Sequence, residues 1–346
     1  MTPSSRWKRL AERPFVRRAG ALRAGRSGPT AARNLNRNFV PGELARDESS
    51  ITKLFYGRLT EDDVEEVARR AATELGECPP IGSDPATRRW LTLNYGVWLR
   101  VPAVLDKTGL PAAQPPDEIH AMARGPLGAA GGLGEADMVI DALRSAGAAP
   151  EQAGHGLDFG CSSGRVVRVL AAALPEVHWH GCDPNIPAIE WAREHLAGIE
   201  FFANPQQPPL AIPTGELGLA YAISIWSHFA PELGLRWFAE MHRVIRPGGQ
   251  LVFTTHGSQS VAFAAASGAR STEQCEQIRD ALYRDGYWYK PEFGEAGDEG
   301  VVNPDWGTSF QSAEWLVANL CPQWHVLEFA PGRNQRNQDV YVLERV

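Results

Sequence analysis

The sequence predicts an α/β fold: an open, doubly wound sheet of five parallel strands closed by an antiparallel hairpin, with a helical region before it. Three observations carry this. From residue 155 onward, apolar strand-like runs alternate with helix-like periods. The first run, Gly156-Leu157-Asp158-Phe159, empties into a turn of tiny residues, Gly160-Cys161-Ser162-Ser163-Gly164, which opens a helix. The last two runs, 324–329 and 339–343, are joined by a short polar loop with no room for a crossover helix, so they must pair antiparallel.

The chain opens on charge. Residues 1–40 hold ten Lys/Arg and a single acid, Glu12, within a protein whose formal net charge is −7. A basic tract can track phosphate backbones. This one lacks regular aromatic interleaving and a long apolar core, which argues against base stacking and against a secretory signal. Residues 1–45 read as a solvated, disordered arm, and the acidic remainder argues against nucleic acid as a partner. Next, Thr60-Glu61-Asp62-Asp63 matches a capping box and opens a helix to about residue 75. Pro79-Pro80 and Gly82 break the chain, 91–104 is apolar and aromatic, 111–116 is a proline-bounded linker, and glycine-rich 125–134 leads to a helix at 135–145. Residues 46–150 read as a mostly helical lid or substrate region.

Within 151–346, strands are expected at 155–159, 177–182, 199–202, 217–225, 250–255, 324–329 and 339–343. Helices at 165–174, 186–196 and 232–244 fill the gaps. The last helix stops at Arg246-Pro247-Gly248-Gly249, where proline cannot continue it and the glycines turn the chain. Residues 257–312, with Tyr283, Tyr287, Trp288, Tyr289, Phe293, Trp306 and Phe310, read as an insertion forming a lid or acceptor pocket suited to sugars or flat rings. The plainer alternative is a satellite apolar cluster. Glycine-rich 293–300 reads as mobile.

A carboxylate, Asp183, follows the next apolar run, 19 positions beyond Gly164. A glycine turn lets backbone N–H groups approach a ligand closely, and a carboxylate at the neighbouring strand tip can take both hydroxyls of a ribose. That pairing points to a nucleoside cofactor. A dinucleotide fingerprint needs glycine at its third position, where this chain has Arg165, and no Gly-Lys-Ser/Thr follows to make a P-loop. Counted as Asp-x-Gly-x-small-x-Gly, the run gives Asp158, Gly160, Ser162 and Gly164.

This spacing resembles the first motif of class I S-adenosylmethionine (SAM) methyltransferases, with Ser162 where that family more often has glycine. Pro208-Pro209-Leu210, the strand running into Trp226-Ser227-His228-Phe229, the Arg243-to-Gly249 turn and the terminal hairpin are also similar to that family, over residues 150–346. Dehydrogenase sheets carry a sixth parallel strand instead. The resemblance implies SAM as cofactor. Asp158 would orient the turn or bind the methionine amino group. Gly160, Cys161, Ser162 and Gly164 would form the turn, and Asp183 would take the ribose hydroxyls. Asn204 would sit at the adenine, and Ile223 and Ser224 would line the methionine side. The plainer alternative for Asp183 is a helix N-cap ahead of Pro184, and the two roles can coexist.

Methyl transfer is an in-line displacement that depends on alignment, and a general base is needed only when a hydroxyl acceptor must lose its proton. His228, after strand four, and His256, directly after strand five, lie beyond strand ends where ligands bind in open α/β sheets. An imidazole can accept that proton, and each can also be a structural histidine. His155, His178 and His180 flank strands away from those ends. No Asp, Glu and His cluster has metal-like spacing, so no metal is expected. The expected activity is methyl transfer from SAM to a small-molecule or glycan acceptor, at a hydroxyl oxygen. The alternatives are an NAD(P)-dependent oxidoreductase and a non-catalytic binding module. Five scattered cysteines without a C-x-x-C pair imply a reducing, cytoplasmic setting. No apolar run approaches the roughly 18 residues needed to span a bilayer.

Overall fold

A computed structural model describes residues 50–75, 84–116, 119, 132–292, 303 and 306–346. The basic arm at 1–45, the Pro79-Pro80 and Gly82 break, most of the 125–134 stretch and the 293–300 stretch lie outside the described residues. Two compact units are distinguished. One gathers the chain up to Asp141 with Ser162–Pro175 and Glu190–Ile199, and the other holds Ala142–Cys161, Glu176–Ile189 and Glu200–Val346.

The first unit is helical: α1 (Ser50–Tyr56), α2 (Glu61–Leu75), α3 (Pro85–Trp98), α4 (Pro102–Thr108), most of α5 (Leu133–Ser145) and α6 (Val167–Ala173). The capping box forms. The Thr60 N–H donates to the Asp63 carboxylate at 2.6 Å, and the Asp63 N–H donates to the Thr60 hydroxyl at 3.4 Å. Asp84 caps α3 by accepting the N–H groups of Ala86 and Thr87. The 91–104 stretch supplies the buried end of α3 and the start of α4, with Val101 as the break between them. The N-terminus of α1 is held by two acids one helical turn apart on α5. Asp137 accepts from the N–H groups of Ile51 (2.8 Å) and Thr52 (3.0 Å) and from the Thr52 hydroxyl, and Asp141 accepts from the Ser50 N–H at 3.2 Å.

The second unit is built on a seven-stranded sheet in the order β3-β2-β1-β4-β5-β9-β8. Its strands are β1 (His155–Phe159), β2 (His178–Asp183), β3 (Ile199–Ala203), β4 (Leu217–Ala222), β5 (Ile245–Thr255), β8 (Trp324–Asn334) and β9 (Gln338–Arg345). β2, β1, β4 and β5 run parallel, and β9 runs antiparallel to both β5 and β8. α8 (Pro231–Val244) is one of the crossovers, and α7 (Ile186–His195) is divided between the two units after Ile189. One face of the sheet packs Phe159, Phe253 and Tyr341 against Trp226, Trp237, Phe238 and Met241.

Three strand boundaries differ from expectation by three residues or more, and one of them is the end of β8, which runs to Asn334 rather than 329. β4 stops at Ala222 rather than 225, because Ser224 takes a left-handed backbone (φ +63°) and gives its N–H to the Thr254 hydroxyl instead of to a neighbouring strand. β5 starts at Ile245 rather than 250. The Arg246-Pro247-Gly248-Gly249 run is a bulged opening of the strand, with a register shift against β4. The described residues of the 257–312 stretch include α9 (Ser258–Ala266), α10 (Thr272–Asp285) and a hairpin of β6 (Tyr287–Pro291) and β7 (Gly307–Gln311), with α11 (Ala313–Leu320) following.

Burial pushes the Asp137 carboxyl up to about 7, against the lowering pull of the Thr52 and Ile51 donors, with the Asp141 charge adding to the rise. The folded state thus holds this proton more tightly than the unfolded chain does. The resulting stability is present below about pH 4 and is lost as pH rises through 7. Urea unfolding between pH 4.5 and 8 is expected to show a decline on the order of 1–3 kcal/mol that Asp137→Asn flattens. Parallel pH curves for the two proteins would contradict this.

Candidate functional site

β1 and β2 end side by side, with Phe159 paired to Cys182. The Cys182 carbonyl accepts the N–H groups of both Gly160 (2.9 Å) and Cys161 (3.0 Å), so the chain leaving β1 folds against the tip of β2. That exit requires a left-handed backbone. Gly160 has φ +85°, and a Cβ there would overlap the Ile225 side chain. Ser162 (φ +47°) and Gly164 (φ +75°) continue the turn in the same region of backbone space. Glycine adopts this freely, whereas serine at 162 holds strain on the order of 1 kcal/mol.

Two buried carboxylates sit at these tips, Asp158 in β1 and Asp183 at the end of β2. The helix-capping role open to Asp183 falls instead to Asn185, whose side-chain oxygen accepts the Ala188 N–H at 3.2 Å. Asp183 takes the Asn185 N–H through Oδ1 at 2.8 Å. Cys161 feels the charge of both acids. Burial, reinforced by the Asp158 and Asp183 charges, raises its thiol far above the usual range, so it lines the turn as an uncharged side chain. Asn204 hangs from the same tip: its N–H donates to the Asp183 carbonyl at 3.3 Å and its Nδ2 donates to the Pro205 carbonyl at 2.8 Å. Its Oδ1 is buried and accepts no hydrogen bond from the described residues.

At the tips of β4 and β5 a polar network replaces the strand ladder. Gln338 Oε1 accepts from Ser224 Oγ (2.8 Å), Thr254 Oγ1 (2.7 Å) and Asn334 Nδ2 (3.1 Å). Three donors on one oxygen fix the amide, so its Nε2 faces His256 Nε2 at 3.3 Å and donates to it. His256 Nδ1 donates to the Ser309 carbonyl at 3.1 Å, which engages both of its nitrogens. His228 Nδ1 donates to the Gly307 carbonyl at 3.1 Å, and its ring lies 6.2 Å from that of Trp306, tilted by 23°. A carbonyl only accepts, so Nδ1 carries the hydrogen in each ring and Nε2 is the basic nitrogen.

Both histidines are therefore oriented by one strand, β7. Its backbone also donates to the carbonyls of His228, Ser227 and His256 from Gly307, Ser309 and Gln311. The structure places Ile223 and Ser224 in the bend beyond β4, with Ser224 joined to this network. His155, His178 and His180 lie at the starts of β1 and β2, where His155 meets His180 at 3.1 Å beside Glu216 and Glu200. Among the described residues, no group of three or more His, Cys, Asp or Glu is arranged to hold a metal ion. Sequence reasoning missed Gln338, Thr254, Asn334 and β7. The strand is buried along its whole length, polar residues included, so no alternation of polarity marks it.

Residues 157–249 match a family model described as a methyltransferase domain. The chain carries a class I SAM-dependent methyltransferase domain. A curated relative, the malonyl-[acyl-carrier protein] O-methyltransferase of Hahella chejuensis, is 28% identical over 136 residues, covering 36% of this chain and 47% of that protein. The chain thus spans about half the length of the curated relative it matches. Similar solved structures include a SAM-dependent methyltransferase of Methanosarcina mazei (17% identity, 56% of this chain and 92% of that one, TM-score 0.40). Another is CalS10, an amino pentose methyltransferase of Micromonospora echinaspora (16% identity, 61% and 90%, TM-score 0.41).

The methyltransferase domain's residues fit SAM. The unmet Asn204 Oδ1 suits the 6-amino group of adenine, and Asp183 suits a ribose diol. The antiparallel β9 beside β5 argues against the dehydrogenase alternative, which would place a parallel strand there. Asp183→Ala is expected to weaken S-adenosylhomocysteine binding by about 1–3 kcal/mol in calorimetry, the range for a charge-assisted hydrogen bond. An unchanged affinity would remove the ribose assignment.

Proposed function

We propose that the methyltransferase domain methylates a hydroxyl oxygen of a small-molecule or glycan acceptor, with His228 removing the hydroxyl proton. Bound SAM supplies a methyl group on a sulfonium, an electrophile that needs no covalent help from the protein. The chain's own contribution is alignment and proton handling. Asp158, Gly160, Cys161, Ser162, Gly164, Asp183, Asn204, Ile223 and Ser224 are assigned to holding the cofactor.

The observation that carries the proposal is the hydrogen bond from His228 Nδ1 to the Gly307 carbonyl, which makes Nε2 the proton acceptor. His256 receives Gln338 on its Nε2, so we assign it to holding the Ser224–Gln338–Thr254 network rather than to proton removal. Trp306 beside His228 offers a flat face for a sugar or ring. Tyr287, by contrast, packs on Trp315, and Phe310 packs on His256 and Trp288, so these rings build the hairpin. The name of the curated relative agrees with oxygen as the methylated atom. We assign residues 46–150 and 257–312 to acceptor choice. We infer a reducing, cytoplasmic setting from Cys161, Cys182, Cys275 and Cys321, all free thiols. No helix among the described residues is long and apolar enough to cross a membrane.

The test is a screen of hydroxylated small molecules and glycans, read as S-adenosylhomocysteine formed, followed by His228→Asn on the best acceptor. The expected result is a kcat lower by about 100-fold to 10,000-fold, the usual range for a lost general base, with cofactor affinity unchanged. The rise of rate with pH that reports the imidazole should vanish as well. A variant with full kcat and the same pH profile would remove His228 from the chemistry and point to an acceptor that arrives already ionised.

A further inference from the structure

We propose that Arg168 is the countercharge for the carboxylate end of the cofactor, acting through the turn that follows β1; the inference rests on the cofactor reading above. Arg168, in α6, is 1% exposed. Its Nε donates to the Gly164 carbonyl at 3.1 Å, Nη2 to the Ser163 carbonyl at 3.2 Å and Nη1 to the Ala113 carbonyl at 2.5 Å. The guanidinium carbon lies 5.5 Å from the centre of the Trp191 ring. Every one of these partners is neutral. No carboxylate pairs with Arg168 among the described residues, whereas Arg165, one turn earlier, has Glu135 at 3.0 Å.

Burying a cation without an anion is costly, and an apolar side chain of similar volume often serves a fold better. Carbonyl dipoles and an aromatic face offset part of that cost, yet the net charge remains. Burial, with Arg165 adding repulsion, lowers the guanidinium to about 10, so it stays protonated at neutral pH. A staple between the turn and the linker at 111–116 would need hydrogen bonds alone. The charge sits directly against the backbone of Ser163 and Gly164, in a dry setting where its field is poorly screened.

The same hydrogen bonds set the direction of two peptide planes. With the Ser163 and Gly164 carbonyls turned toward the guanidinium, the trans geometry points the N–H groups of Gly164 and Arg165 the opposite way. A cation on one side of the turn and N–H groups on the other make a surface that seeks an anion. The amino-acid end of SAM carries an ammonium, which the family resemblance gives to Asp158, and a carboxylate, which needs a positive partner.

Calorimetry on the full chain tests this with S-adenosylhomocysteine and its decarboxylated analogue, which lacks only the carboxylate. The wild type is expected to prefer the carboxylated ligand at least tenfold. Arg168→Gln should shrink that preference to threefold or less. Arg168→Lys keeps the charge but lacks the planar fork that spans the three carbonyls, and it should retain the preference even where both ligands bind more weakly. Equal affinity of the wild type for the two ligands overturns the proposal, and this arm stands whether or not either variant folds. A preference that survives Arg168→Gln, or falls equally in the Lys and Gln variants, overturns it too and leaves Arg168 as a staple. A wild type that binds neither ligand sinks the cofactor reading itself, and this inference with it.

Discussion

One carbonyl organises the sheet edge to which we assign the cofactor. The oxygen of Cys182, at the tip of β2, accepts two successive N–H groups, those of Gly160 and Cys161, as the chain leaves β1. Because both bonds end on one atom, the tips carrying Asp158 and Asp183 cannot drift apart. The exit from β1 must also be left-handed, which only glycine does without strain at a position where a Cβ would meet Ile225. Spacing that looks like a motif in the sequence is the consequence of this geometry.

A second constraint governs the neighbouring edge. β4 ends early, and Ser224, in an unfavourable backbone conformation, is held by a Thr254 hydroxyl and a Gln338 amide oxygen. Strain of this kind persists where the surroundings over-determine it. Here they do, since Gln338 is fixed by three donors and in turn fixes His256. β7 then aligns His228 and His256 through carbonyls two residues apart, Gly307 and Ser309. The two imidazoles look alike in the sequence, and only the fold shows Gln338 set against the Nε2 of His256.

The strand–turn–helix unit around Gly160 was legible in the sequence because its determinants are local: an apolar run, a turn of five tiny residues and a carboxylate at fixed spacing. The capping box at Thr60 and the terminal hairpin were legible for the same reason. The polar network was not. Gln338 reaches Ser224 across 114 positions and Thr254 across 84, and no local pattern announces such a meeting. Arg168 was hidden differently: on a helix a single arginine reads as a solvated residue, and only the folded chain shows it sealed beneath the turn. The early end of β4 escaped as well, because an apolar run gives no hint that Ser224 will leave the ladder. β7 lacked the alternation that marks a half-buried strand, so the element orienting both histidines was read as part of an insertion.

The central claim is that the tips of β1 and β2 seat an adenosyl group. A crystal structure of the protein with S-adenosylhomocysteine tests it most directly. The account predicts the ribose hydroxyls on the Asp183 carboxylate and the adenine amino group on Asn204 Oδ1. A nucleoside found elsewhere on the sheet, with Asp183 and Asn204 untouched, would contradict it.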